Sequence, residues 1–550
     1  MSSGLLLSSV LIVTLLWRVF IYTRLLIASA PLNRLPGPPR ESFWNGNLRQ
    51  FLARHAEDFQ KHVAVDFGPV VKMSGYFGRP LLYVSDSRAL HNILIKEEHI
   101  FQEQEVFISS NLRLFGPSLL ATYGQRHGKQ RKILNPVFSI NHMRSMLPLF
   151  YTVCHKLREA ITGRLQDGPR ELDMLHWTGR VSLELIGQGG LGYSFDPLVE
   201  DKEDPYGQAV KALIPNFGRV LHLRWLAVLA DKWNVPRWLQ RAVVQAFPAD
   251  SPIRKLLEAV DTMDRQSRAI YSMKKRAFDQ GDAEVVKQIG EGKDILSILM
   301  RANAQADVNE RLSEEEVVAQ LSTLIFAAMD TTSNTLSRTL QLLAQYPDVQ
   351  DKLRRELLET GAAQGTSYDQ LNQLPFLDAV CRETLRVHPA AGNRFRINRA
   401  VADTVLPLSE PVTTLDGAVL SKIAIPKGTE VLVGVMGSNM NRALWGEDAL
   451  EWKPERWLSP LPSAVTDARM PGVYSNLLTF IGGKRSCIGF KFAEMEMKVV
   501  LAVMLTTFTF ALTDKPILWT SANIMFPTVG RNAIRSELPL RVGLYKPARL

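Results

Sequence analysis

The sequence predicts a mainly α-helical domain with small β-sheets, preceded by one N-terminal transmembrane helix. Three observations carry that expectation. Apolar residues recur at helical spacing over residues 313–344, 347–358 and 378–387. Alternating stretches are few and short, near 70–73, 80–84 and 430–435. A largely apolar run over residues 4–22 precedes everything else.

That first run is interrupted only by Ser8, Ser9, Thr14 and Arg18. A bilayer core of about 30 Å takes ~20 helical residues, so the run is just long enough to span. No basic residue precedes it, whereas Arg24, Arg34 and Arg40 follow, and the positive-inside rule then leaves the bulk of the chain in the cytosol. A cleavable signal peptide is the weaker reading, because its basic leading segment is absent. Residues 1–24 therefore read as a signal anchor. Residues 25–40 read as a stiff hinge, since each proline of Leu35-Pro36-Gly37-Pro38-Pro39 removes a donor and restricts the residue before it. A length of 550 residues alone suggests ~3 or 4 domains. No linker beyond residue 40 supports that division; the breaks at 281–293 and 459–472 are short enough to be surface loops within one domain, 41–550.

The long helix predicted over 313–344 opens with Ser313 and Glu316 at capping-box spacing and stops before Pro347. Inside it stands Ala327-Ala328-Met329-Asp330-Thr331-Thr332. An acid and a hydroxyl are costly to bury in an apolar helix without partners, which singles out Asp330 and Thr331. The plainer reading has Thr331 bonding back to a carbonyl one turn earlier. Further on, Glu383 and Arg386 share a helix face by their i, i+3 spacing.

The sharpest signal is Phe480-Ile481-Gly482-Gly483-Lys484-Arg485-Ser486-Cys487-Ile488-Gly489, a cysteine in a glycine-rich loop just before a helical pattern. Gly483 and Gly489 would let the backbone close around the sulfur at positive φ and aim N–H groups at it. The following helix adds its positive dipole end. Only two other cysteines occur, Cys154 and Cys381, and these read as core residues. Three cysteines make a disulfide framework improbable and fit a reducing compartment. Lys and Arg number 65 against 55 Asp and Glu, a net charge of +10. The excess is spread along the chain without a basic stripe interleaved with aromatics, which excludes a nucleic-acid partner and favours a membrane surface and an acidic protein.

Phe480, Gly483, Arg485, Cys487 and Gly489 fall on the fixed positions of the heme-binding signature of the cytochrome P-450 superfamily, with Ala493 on a further small-residue position. The chain resembles that superfamily in landmark order from about residue 35 to its end, although residues 201–292 carry no motif. The resemblance implies heme b with the Cys487 thiolate as axial ligand, and Arg485 on a propionate. Asp330 and Thr331 match the proton-delivering acid and alcohol of oxygen activation; Ala328 stands where glycine is usual. His127-Gly128-Lys129-Gln130-Arg131 is similar to a Trp-x-x-x-Arg propionate contact with His127 in the tryptophan position. Of Arg394, Arg396 and Arg399, spacing favours Arg396 for another such contact. Glu383 and Arg386 would meet Arg456 of Pro454-Glu455-Arg456-Trp457, a structural role, with Trp457 where phenylalanine is usual.

The activity so implied is insertion of one oxygen atom from O2 into a hydrophobic substrate. Electrons would come from NADPH through a flavoprotein NADPH-cytochrome reductase, with cytochrome b5 as a second donor. Lys129, Lys132, Lys484 and Lys491 flank the heme-contacting segments and are expected to form a basic docking face. The pocket would draw on a loop at 107–120, the helix around Phe326, the segment after Pro389 and a turn at 525–527. The wording of residues 130–138 and 425–429 resembles fungal microsomal members. That leans toward terpenoid or triterpenoid oxidation, in secondary metabolism or xenobiotic oxidation, at the endoplasmic reticulum membrane. Two rivals use the same cysteine: a heme-thiolate isomerase or dehydratase acting on peroxides, which has no need of Asp330 and Thr331, and a non-catalytic heme-binding protein.

Overall fold

The computed structural model describes residues 16–17, 19–196, 198–199, 204–286, 291–391, 397–521, 524–533 and 535–546. Most of the expected anchor, residues 1–15 and Arg18, lies outside the described residues, as do Arg394 and Arg396. Among the described residues no helix is long and apolar enough to cross a membrane. The chain divides into two compact units. One comprises Met1–Gln104, Gly392–Glu451 and Leu461–Ser486, the other Glu105–Ala391, Trp452–Pro460 and Cys487–Leu550.

The first unit is built on a five-stranded sheet in the order Val70–Ser74, Pro80–Val84, Glu430–Val433, Ile397–Ala400, Phe101–Glu103. Pairing is antiparallel except between Pro80–Val84 and Glu430–Val433. Three of these strands lie where alternation or an apolar run predicted them. Leu82, Val84, Val431 and Val433 pack with Leu90, Ile93, Leu94 and Leu478 into one buried cluster. A second hairpin, Thr404–Thr413 with Val419–Ile425, adds Leu406 and Ile423 to it. The proline hinge runs alongside: Pro36 O accepts Lys72 N–H at 2.8 Å. A Cβ on Gly37 would stand 2.0 Å from Lys72 O, so only glycine allows that approach.

The second unit is helical. Glu314–Gln345 is its 32-residue spine, begun by a complete Ser313–Glu316 capping box and ended ahead of Pro347, as the sequence predicted. Met174–Leu185, buried along nearly its whole length, lies against it, and Thr178 Oγ1 and Ser337 Oγ meet at 2.9 Å between the two. Pro347–Glu359, Pro375–Val387, Ile140–Arg164 and Phe490–Thr507 complete the core. Small sheets flank it: Arg170–Asp173, Pro539–Leu544 and Phe508–Leu512 form one, Ile517–Ser521 and Met525–Val529 another. The stretch without a motif folds as Pro205–Arg219, Trp225–Lys232, Arg237–Gln245 and Pro252–Gln280.

Two expected pocket elements differ in form. The loop anticipated at 107–120 is largely a helix, Glu105–Phe115. Ser109, Ser110 and Asn111 at its centre disguise the periodicity, because such side chains compete for backbone groups; here the hydroxyl of Ser110 donates to Val106 O at 2.6 Å instead. The turn expected at 525–527 is the strand Met525–Val529. Pro527 suggested a break, but in a two-stranded hairpin it costs no interior ladder bond.

Candidate functional site

The cysteine loop is shaped by its glycines. In the first unit, Leu478 N–H donates to Asn439 Oδ1 at 2.8 Å, and the edge of the Phe480 ring meets Tyr474 with centroids 5.5 Å apart. Ile481 then adopts a left-handed φ of 53°. A Cβ on Gly482 would fall 1.6 Å from Pro471 O, and one on Gly483 2.0 Å from Leu94 O, with Gly483 itself at φ +72°. Arg485 stands 2.9 Å from Glu103 Oε2 in a nearly buried ion pair.

From Cys487 onward the chain belongs to the helical unit. Of the three cysteines Cys487 alone is accessible; Cys154 and Cys381 are buried, as expected of core residues, and all three are free thiols. Burial pushes the Cys487 thiol up, while the Gly489 N–H aimed at its sulfur and the charge of Arg131 pull it down. Gly489 does so as the N-cap of Phe490–Thr507. Its φ is −93°, so the expectation of a positive φ there is corrected: the geometry requires glycine at 483 and not, from the protein side, at 489. An accessible cysteine with a backbone donor at its sulfur and the charge of Arg131 acting on it fits a thiolate ligand of a large flat group such as heme.

Arg131 lies on Gly124–Leu134, one turn past the buried His127, so the two share a face. Their helix is bolted to the spine. Gln130 Nε2 donates to Glu316 Oε1 at 3.0 Å and Arg126 Nε stands 2.8 Å from the same oxygen. Burial opposes ionisation of Glu316, yet Arg126, the Ser313 N–H and Gln130 together hold its carboxyl down at about 2.

On the spine, Ala327 is exposed between the buried Phe326 and the half-buried Ala328, and Asp330 and Thr331 are half-buried. Thr331 Oγ1 donates to Ala327 O at 2.7 Å. The plain back-bond is thus present, and it also orients the hydroxyl. Asp330 opens onto a cavity of about 500 Å³ within the helical unit, lined by Asp173, His176, Lys211, Ser333, Asn334 and Arg535 among others. Burial lifts the Asp330 carboxyl to about 6, against the Lys211 charge and a hydrogen bond from Asn334 that lower it. Neither Lys211 nor Asn334 was visible as a site residue in the sequence, where nothing marks a lysine on Pro205–Arg219 as facing residue 330.

The Glu383 cluster forms completely. Arg386 grips the carboxylate with Nε and Nη2, both at 2.8 Å, and both residues are fully buried. Arg456 Nε lies 3.4 Å away, and Lys453 N–H donates at 3.0 Å. Arg399, the describable member of the arginine trio, holds Glu430 at 3.1 Å. The expected docking lysines have local contacts: Lys129 with Asn309 O at 3.0 Å, Lys132 with Glu310 at 3.5 Å, Lys484 with Glu98 at 3.2 Å, and Lys491 over the Phe490 ring.

Residues 36–531 match the family described as Cytochrome P-450. Among curated relatives the chain is 56% identical over 519 residues to Cytochrome P-450 monooxygenase 81 of Postia placenta, covering 94% of each chain. It is 52% identical over 534 residues to Cytochrome P-450 monooxygenase 212 of the same fungus, covering 96% of this chain and 97% of the relative. It is 45% identical over 531 residues to Ganoderic acid synthetase CYP5150L8 of Ganoderma lucidum, covering 96% of each.

Proposed function

The chain belongs to the cytochrome P-450 family of heme-thiolate monooxygenases, and from that premise we propose that it is a membrane-held enzyme that hydroxylates a terpenoid, most readily a triterpenoid. Heme, when bound, supplies the activation of O2, and a thiolate ligand favours O–O cleavage by donating electron density. Cys487 offers that sulfur; burial raises its thiol overall, and the Gly489 N–H and the Arg131 charge favour the ionised form against it. Arg131 and Arg485, with His127 and with Arg396, which lies outside the described residues, are the groups for the propionates. Phe480 supports the loop edge-on.

The acid is what carries the monooxygenase reading over an isomerase or dehydratase. Asp330 faces a cavity that carries Lys211, His176 and Asn334 among apolar walls, with its carboxyl at about 6, where a group both takes and gives protons readily. Thr331, adjacent and held by its own helix, presents a hydroxyl that passes a proton on. Isomerisation of a peroxide needs neither. Ala328 adds one methyl where glycine is usual, which narrows the groove without removing the acid or the alcohol.

The relative named for ganoderic acid synthesis supports the triterpenoid substrate. The apolar run at residues 4–22 supports anchoring at the endoplasmic reticulum, with the catalytic part in the cytosol. Electrons then come from NADPH through a flavoprotein reductase, for which Lys129, Lys132 and Lys491 offer positive charge on the helical unit. Membranes carrying the full-length chain and a reductase, given NADPH, 18O2 and a panel of triterpenoids, smaller terpenoids, fatty acids and aromatics, decide the matter. One labelled oxygen in a triterpenoid product is the expected result. Conversion with peroxide substrate alone, independent of NADPH, would overturn the oxygenase reading, and labelling confined to fatty acids or aromatics would overturn the substrate.

A further inference from the structure

Glu496 is a carboxylic acid with no exposure, on the helix Phe490–Thr507 that begins directly after the cysteine loop. It lies on one stripe with Gly489 and Phe492 by i, i+3 and i, i+4 spacing. Phe492 packs edge-on against Phe150 with centroids 4.9 Å apart. One turn later, the hydroxyl of Ser182 donates to Glu496 Oε1 at 2.5 Å, while Oε2 has no partner among the described residues. Ser182 belongs to Met174–Leu185, whose Thr178 meets Ser337 on the spine two turns beyond Asp330. A polar thread therefore runs from the helix that follows Cys487, through Glu496 and Ser182, to the helix bearing Asp330 and Thr331.

We propose that Glu496 is a positioning residue for Cys487: as an uncharged acid it locks the ligand helix to Met174–Leu185, and losing its proton loosens the thiolate. This rests on Cys487 being the heme ligand. A buried carboxylate with one hydroxyl donor lacks the several partners an ion needs, whereas a neutral acid needs only one or two. Burial lifts this carboxyl to about 8, with the Ser182 hydrogen bond pulling the other way. Of the other elements on this helix, Ile140–Arg164 contributes the thiol of Cys154, itself pushed up by burial and by Glu496. The remaining charges take other partners. Lys498 pairs with Asp378 and Glu494, both at 2.8 Å, and Arg354, on Pro347–Glu359, donates to Leu505 O at 2.9 Å.

The sign is definite. A carboxyl whose folded pKa is raised contributes stability that is full below its unfolded value and is lost as pH rises through the folded value. The test uses full-length wild type, Glu496→Gln, Ser182→Ala and Cys487→Ala, read by the reduced, carbon monoxide-bound difference spectrum and by thermal unfolding between about pH 6 and pH 9. Wild type should lose more than half of its thiolate band and drop in unfolding midpoint across that interval. Glu496→Gln, neutral and of the same shape, should carry the wild-type thiolate band at the acid end, already unfold at a higher temperature there because the unfolded wild-type carboxyl is ionised, and retain both band and midpoint at the alkaline end. Ser182→Ala, which removes the bond that makes the lock, should weaken the thiolate band at every pH and move what transition remains upward, because the hydroxyl that favours the ion is gone. Coincident alkaline transitions in wild type and Glu496→Gln would overturn the proposal. A wild type with no thiolate band at any pH would instead overturn the ligand assignment, leaving the unfolding midpoints to decide whether Glu496 is a lock.

Discussion

The indole N–H of Trp457 donates to Glu383 Oε2 at 2.9 Å, adding a donor to a carboxylate already gripped by Arg386. Arg382 stacks over the same indole at 5.5 Å. The resemblance places phenylalanine at this position, which could fill the space but not donate. Trp457→Phe should therefore cost about 1–3 kcal/mol, the range for removing a hydrogen bond to a buried charged group. A lower thermal midpoint with an unaltered carbon monoxide spectrum is the expected signature. An unchanged midpoint would mean that Arg386, Lys453 and Arg456 satisfy the carboxylate alone.

Asp330 should show opposite effects on activity and stability. With its carboxyl at about 6, folding is favoured below the unfolded pKa and progressively penalised as pH rises through 6. Asp330→Asn should unfold at a higher temperature than wild type above pH 6 and at the same temperature near pH 4, while turnover falls about 100-fold or more. Lys211→Gln removes the charge that holds the carboxyl down. Its turnover profile should keep the same shape with its acid limb displaced to higher pH. An undisplaced limb would show that Lys211 has no part in setting the proton supply.

How legible the molecule was depended on whether a residue's role is written locally. The spine was readable to within a residue because Ser313, Glu316 and Pro347 mark its ends in the chain itself. Strands Val70–Ser74 and Pro80–Val84 followed from local patterning for the same reason. The Glu383 cluster was readable only through resemblance, since Glu383 and Arg456 are 73 positions apart and spacing says nothing of their meeting. Lys211 and Glu496 were invisible. One is a lysine on an ordinary amphipathic helix, the other a glutamate beside Glu494 and Lys498 that reads as solvated until the structure shows it with no exposure. Helix Glu105–Phe115 was hidden by its polar centre, a case of tertiary packing overriding propensity.

The two signature glycines should respond differently to the same substitution. Gly483→Ala forces a Cβ to within 2.0 Å of Leu94 O at a φ of +72°, so backbone must move as well as strain. The left-handed conformation alone costs about 1–2 kcal/mol for alanine, and the overlap adds to it. Loss of folded protein in the membrane fraction is expected. Gly489→Ala meets only the ring of Phe138 at 3.8 Å, with φ −93°, and should fold with the wild-type thermal midpoint. Loss of heme from a folded Gly489→Ala would then locate the need for glycine on the cofactor side of the loop.

A buried ion pair joins the motif-free stretch to the helix after it. Lys274 Nζ stands 2.8 Å from Asp294 Oδ2, both side chains without exposure, and Ser297 Oγ accepts from the same amine at 3.3 Å. Asp294 is also the N-cap of Ile295–Gln305, accepting Ser297 N–H at 3.0 Å. Removing one charge strands the other in an apolar setting, so Lys274→Met should destabilise by about 3–5 kcal/mol. Adding Asp294→Asn removes the stranded charge and keeps a capping oxygen, because asparagine caps as well as aspartate. The double variant should therefore recover more than half of the loss, although Asp294→Asn alone destabilises. Additive losses in the double variant would show that the pair is held by packing around the lysine stem rather than by its charge.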